Sequence, residues 1–182
     1  MIAYKFLAPG AVGPFTGFSW PVPSAAAPGR WVEAPDRREE HGIHACRERD
    51  LAFWLDAELW RAELADPVTD AQRQVISPRA RLLERIVAWD GAAARAFAEA
   101  CLSRARELCA AKPSGPVSAA LSGYLAEATE FLEAGDPACS AYISARSAVV
   151  AAGGDEDAFG AEREQQGILL ARLLRLAAPH GV

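Results

Sequence analysis

The spacing of hydrophobic positions changes part-way along the chain. In ELWRAEL, Glu58–Leu64, Trp60, Ala62 and Leu64 alternate with Arg61 and Glu63. Side chains along a strand point to opposite faces in turn, so this run predicts a half-buried strand. Ile2–Leu7 predicts another, ended by Pro9 and Gly10. Brief strands are expected at 31–33 and 43–46, one or two helical turns at 50–55, and an extended run over 72–86 broken at Pro78. Between them, 10–29 is a Pro/Gly-rich loop. Its Phe15, Phe18 and Trp20 are apolar enough that the loop is expected to pack on the sheet.

Beyond Trp89 the period becomes helical. Asp90 is suited to cap a helix running to about residue 111, with Phe97, Cys101, Ala105 and Leu108 on one stripe. Pro113 and Gly115 break it, and Pro116 opens a second helix in which Val117, Leu121, Tyr124, Ala128 and Phe131 recur. Gly135, Asp136 and Pro137 then read as a helix stop, an N-cap and a first-turn proline. The third helix is expected to end at Gly153 and Gly154. Asp155 caps a fourth, whose buried face reads as Phe159, Leu169, Leu173 and Leu176. The polar run Glu162 to Gln166 reads as its solvent side. Short connections favour antiparallel neighbours. The predicted fold is α+β: a small, mostly antiparallel sheet in residues 1–88 packed with an Ala-rich helical bundle in residues 89–182, as two halves or one compact domain.

Composition narrows the function. The 182 residues are 51% hydrophobic and 24% charged, with a formal net charge of −5. An acidic balance argues against a nucleic-acid partner and against an anionic membrane surface. No apolar run approaches the roughly 18 residues of a membrane span, and the N-terminus lacks the apolar core of a signal peptide. Cys46, Cys101, Cys109 and Cys139 form no C-x-x-C pair, so they read as reduced cysteines of a cytoplasmic protein. Of the 19 Lys and Arg, two are lysines, Lys5 and Lys112. The arginine excess reads as the bias of a GC-rich genome.

The candidate chemistry centres on EEHGIHAC, residues 39–46. On a strand, His44 and Cys46 share a face and His41 points away. Zinc takes three or four ligands, no second ligand cluster is visible, and no metal site is assigned. As a nucleophile Cys46 needs a base and a lowered pKa. His44 is on its face but poorly placed, and His41 and His180 are the other histidines, so a small buried thiol is the competing reading. If Ile43 faces the core, His44 lines the other face, which also carries Arg61 and Glu63. A His, an Arg and a carboxylate together make a polar pocket, and a cross-strand ion pair is the alternative. A one-residue register slip would reverse this placement. Arg73, Arg79, Arg81 and Arg85 recur in the extended run and suit an anionic ligand or, alternatively, a solvated strand face. Gly10, Gly13 and Gly17 lack the spacing of a dinucleotide fingerprint.

With GIHAC, then DLAFWLDAELWRAEL, then AEREQQGILLARLL, the chain resembles a group of small proteins of high-GC bacteria that carry no assigned activity. The resemblance covers most of the chain and singles out Gly42, His44, Cys46, Glu58, Trp60, Glu63, Glu162, Arg163 and Gln166. GIHAC is also faintly similar to the strand that lines the nicotinamide site in ADP-ribosyltransferase folds, with His44 at the aromatic position. That similarity implies a nucleotide-handling protein, although no preceding His or Arg strand motif and no later catalytic glutamate is identified.

Two functions follow as expectations. The first is a small-molecule pocket, acting as an enzyme if His44, Cys46 and Glu63 are catalytic, with Arg61, Trp60 and Arg81 holding the ligand. The second is a non-catalytic assembly protein whose helical half docks a partner or a second copy as a homodimer, and which leaves an apolar strip uncovered in the monomer. No cofactor is assigned.

Overall fold

The computed structural model describes residues 1–35, 42–111 and 115–176. His41, Pro113 and His180 lie outside them. The strands are β1 (Ile2–Leu7), β2 (Val32–Glu33), β3 (Ile43–Ala45), β4 (Glu58–Leu64), β5 (Thr69–Ala71), β6 (Gln74–Ser77) and β7 (Arg79–Arg85), with a 3-10 helix, Glu48–Phe53, between β3 and β4. Four helices follow: α1 (Gly91–Ala110), α2 (Pro116–Glu133), α3 (Pro137–Ala151) and α4 (Asp157–Leu173). The α+β fold is as expected, and the composition change at Trp89 is the passage from strands to helices.

The strands form two antiparallel sheets, ordered β1-β4-β7-β2 and β3-β6-β5. Two links join them. Only Pro78 separates β6 from β7, so one run of chain passes from the smaller sheet to the larger. Tyr4 and Cys46 exchange both backbone hydrogen bonds, at 2.8 and 2.7 Å, joining β1 to the end of β3. Both sheets then close over one apolar interior. Ala3 and Leu7 enter it from β1, Ile43 and Ala45 from β3, Trp60, Ala62 and Leu64 from β4, and Val75, Ala80 and Leu82 from β6 and β7. The alternation read in ELWRAEL is therefore real: its even positions are core.

The opposite face of β1 and β4 meets the helices. Tyr4, Phe6 and Leu59 pack with Phe97 and Cys101 of α1, Ala141 of α3 and Leu170 of α4. This core crosses the strand–helix boundary, so neither half buries its apolar surface alone. Phe97 and Leu170 are fully buried, each worth about 2 kcal/mol of hydrophobic stabilisation. Trp89 makes edge contacts with Phe6 and Phe97, and its indole N–H donates to the Asp56 carbonyl at 2.8 Å. The helix starts follow the expected chemistry. Asp90 accepts from the Ala93 amide and Asp136 from the Cys139 amide, each satisfying an amide that the first turn leaves free.

Three details differ from expectation. Trp20 of the long loop seats in the core, but Phe15 is 87% exposed and Phe18 half exposed. Thr69–Ala71 pairs with β6 as an additional strand. The third difference concerns α4. Its buried face is Glu162, Arg163, Gln166, Gly167, Leu170 and Ala171, while Leu173 is exposed. Of the polar run read as the solvent side, Glu164 and Gln165 are exposed, but Glu162, Arg163 and Gln166 face inward, where α1, α3 and the 3-10 helix offer partners for them.

The 3-10 helix lies directly on α4. At Gly167 a methyl group would run into the Arg49 backbone carbonyl. Gly167→Ala is expected to lower stability by about 2 kcal/mol in urea unfolding, against the ~1 kcal/mol by which alanine favours a helix. An unchanged or higher midpoint would show that the two helices are not in this contact.

Candidate functional site

The parity read for β3 holds. Ile43 and Ala45 face the interior between the sheets, and His44 and Cys46 point to the other side, where Cys46 is buried in the strand–helix core. What His44 meets there is set by pairing. In an unbroken antiparallel ladder the next hydrogen-bonded pair beyond Tyr4–Cys46 would be Phe6–His44. That pair is not formed. The His44 carbonyl instead accepts from Lys5 Nζ at 2.6 Å. β1 and β3 part at this point, and the gap is a cleft of about 130 Å³ with mostly apolar walls. Tyr4, Lys5 and Phe6 line one side, His44, Ala45 and Cys46 the other, with Gln74, Trp54 and the exposed Phe15 completing it.

Lys5 is the group that sequence reading missed. Its ammonium lies 5.3 Å from the Trp20 ring centroid, and no carboxylate among the described residues pairs with it. Burial pushes its pKa down from 10.5 to about 8, with Cys46 opposing the shift. His44 Nδ1 is 2.9 Å from Gln74 Oε1. An amide oxygen can only accept, so Nδ1 donates to it and the ring is held in one orientation. The cleft thus holds a lysine that is partly neutral near pH 8 and an imidazole fixed by a glutamine.

Cys46 is 2% exposed, and its thiol lies 3.4 Å from the Tyr4 carbonyl, to which it donates. Burial and then Asp50 push its pKa up to about 12, with Lys5 opposing. A nucleophile needs the thiolate, and this environment keeps the proton, so the residue sits as a packed thiol. Tyr4 is also raised to about 12, by burial and then by Glu48, which accepts from its hydroxyl at 3.3 Å.

The other candidates are not brought to His44. Arg61 pairs with Glu84 at 3.0 Å, and Glu63 pairs with Arg81 at 2.6 Å. β1 lies between β4 and β3, so these cross-strand pairs are directed to β7 instead. Trp60 is in the core, where its indole N–H donates to Glu58 at 3.0 Å. Burial alone would raise the pKa of Glu58. The Gly10 amide, the Trp60 indole, the Ala11 amide and Arg85 outweigh it and hold the carboxylate below its usual range. Glu58 and Trp60 therefore fasten the 10–11 turn to the sheet. Among the arginines of the extended run, Arg79, Arg81 and Arg85 each face an acid, while Arg73 occupies the β5–β6 turn. Among the described residues, no cluster of three metal-ligating side chains occurs, and no helix is long and apolar enough to cross a membrane.

The Lys5 shift sets a pH dependence. Between pH 8 and 10.5 the unfolded chain binds more protons at this site than the folded one, so stability rises with pH there. Relative to Lys5→Met, the wild type should gain about 1 kcal/mol between pH 7 and 9 in chemical unfolding. A constant difference across that range would show that the ammonium is not buried. Comparison of the chain with protein-family models, with curated proteins and with solved structures finds no match in any of the three.

Proposed function

We propose that the protein binds a small organic ligand in the β1–β3 cleft, with Lys5 and His44 as the polar groups that hold it and His44 as the acid/base group for any reaction there. The observation that supports this reading is the Lys5–His44 arrangement: an ammonium that no carboxylate among the described residues pairs with, lining a mostly apolar cleft beside an oriented imidazole. Buried titratable groups of this kind concentrate at functional sites. The apolar walls and small volume suit a compact ligand, or the end of a larger one, that presents a carbonyl or carboxylate oxygen to Lys5. Arg61, Trp60, Glu63 and Arg81 have no part in this reading, because each is engaged elsewhere in the sheets. The assembly reading has no comparable observation behind it. The exposed large apolar residues of the described helical half are Val117, Tyr142 and Leu173, one each on α2, α3 and α4.

The test is native mass spectrometry on untagged protein purified without added metal. A bound small molecule is expected in the wild type. It should be lost in His44→Ala and in Lys5→Met, with both variants folded by circular dichroism. A clean apo dimer would replace this reading with assembly. A ligand retained by both variants would place the site elsewhere.

A further inference from the structure

A second site is written into the buried polar face of α4. Arg163 is 5% exposed. Its Nη1 donates to Gln166 Oε1 at 2.7 Å, and Gln166 Nε2 donates in turn to the Ala141 carbonyl at 3.0 Å. Its Nε has no partner, and no carboxylate among the described residues pairs with it. The guanidinium carbon instead lies 5.6 Å from the Phe53 ring centroid and 5.8 Å from that of Tyr142. Aromatic faces compensate only partly for a buried cation, and arginine does not escape by losing its proton.

Arg73 approaches the same place from the β5–β6 turn. Its backbone is left-handed, with φ 63°, and its carbonyl accepts from the Trp54 indole at 2.8 Å. Its guanidinium carbon is 4.3 Å from the Phe53 centroid. The side chain crosses α4 at Gly160, where a Cβ would lie 2.9 Å from Arg73 Nη2. Helical side chains slant toward the N-terminus, so Arg163 leans toward the turn that contains Gly160. The two guanidinium carbons thus lie 4.3 and 5.6 Å from the Phe53 centroid, and neither arginine is ion-paired to a carboxylate among the described residues. Arg73 opens onto a polar groove of about 450 Å³. Asp50 and Asp70, which also line it, are both engaged by Arg47. Asp157 and Glu164 line it without an ion pair to either arginine.

We propose that Arg73 and Arg163 form an anion site for the phosphoryl group of a small phosphate monoester. The planar fork of arginine matches phosphate oxygens two at a time, and a dianion supplies the counter-charge that no described carboxylate gives the pair. The site is separate from the Lys5–His44 cleft and does not depend on it.

The test uses the full chain, with inorganic phosphate and glycerol 3-phosphate as probes in isothermal titration and thermal unfolding. Both probes should bind and raise Tm beyond sodium chloride at equal ionic strength. Arg73→Gln, a change at a partly exposed turn, should weaken binding at least tenfold while the variant stays folded. Glu164→Gln should tighten it, and His44→Ala should leave it unchanged. The proposal is overturned if neither probe binds, if sodium chloride gives the same shift, or if Arg73→Gln binds as tightly as the wild type.

Discussion

The run Gln74–Arg85 belongs to both sheets, and its corner at Pro78 is the constraint on which the rest of the structure depends. Proline has no amide hydrogen to donate to a ladder, so pairing is interrupted on that edge, while the Pro78 carbonyl accepts from the Ala34 amide at 2.8 Å. The buried Ser77 hydroxyl takes over. It lies 2.5 Å from the Ala65 carbonyl and 2.7 Å from the Arg79 carbonyl, and accepts from the Arg79 amide at 3.2 Å. These contacts tie the corner to the backbone at Ala65 and Arg79, where the Ala65 amide also donates to the Arg79 carbonyl at 3.0 Å. The corner directs β6 to β3 and β7 to β4. β3 consequently reaches β1 from the far side of the interior and pairs with it at one residue only. The cleft is what remains where that pairing fails.

Much of the architecture could be read from local chemistry. The caps Asp90 and Asp136, the alternation through Trp60, Ala62 and Leu64, and the outward direction of His44 all depend on residues within a few positions of each other. What sits opposite a side chain does not. Arg61 and Glu63 share the outward face with His44, but β1 intervenes, and Glu84 and Arg81 meet them first. Lys5 reads as an ordinary strand residue in IAYKFL, because its environment comes from 43–46 and from Trp20. No local signal marks a lysine that substitutes for a missing ladder bond.

The last helix was misread for a related reason. A hydrophobic stripe is evidence for burial only when the surface opposite is apolar. Here α4 faces the 3-10 helix, α3 and α1, which supply Phe53, a backbone carbonyl at Ala141 with the Tyr142 ring, and Arg104. Glu162 finds Arg104 at 2.7 Å, and Gln166 finds both Arg163 and Ala141. Polar groups placed this way add little net stability over well-packed apolar ones. They do restrict how α4 can be turned against its neighbours, since any other rotation would strand them.

The scarcity of lysine sets the cleft apart among the described residues. Guanidiniums keep their protons wherever the protein is folded. Among the described lysine and arginine side chains, Lys5 alone can shed its charge between neutrality and mild alkalinity. Tyr4 and Cys46, its neighbours, hold their protons to about 12. Among the described lysine and arginine side chains the charge is thus a fixed background with one adjustable point, and that point lines the cleft. A change in pH, or an oxygen atom arriving from a ligand, is registered there as a change of local field while the surrounding arginine pattern stays as it was.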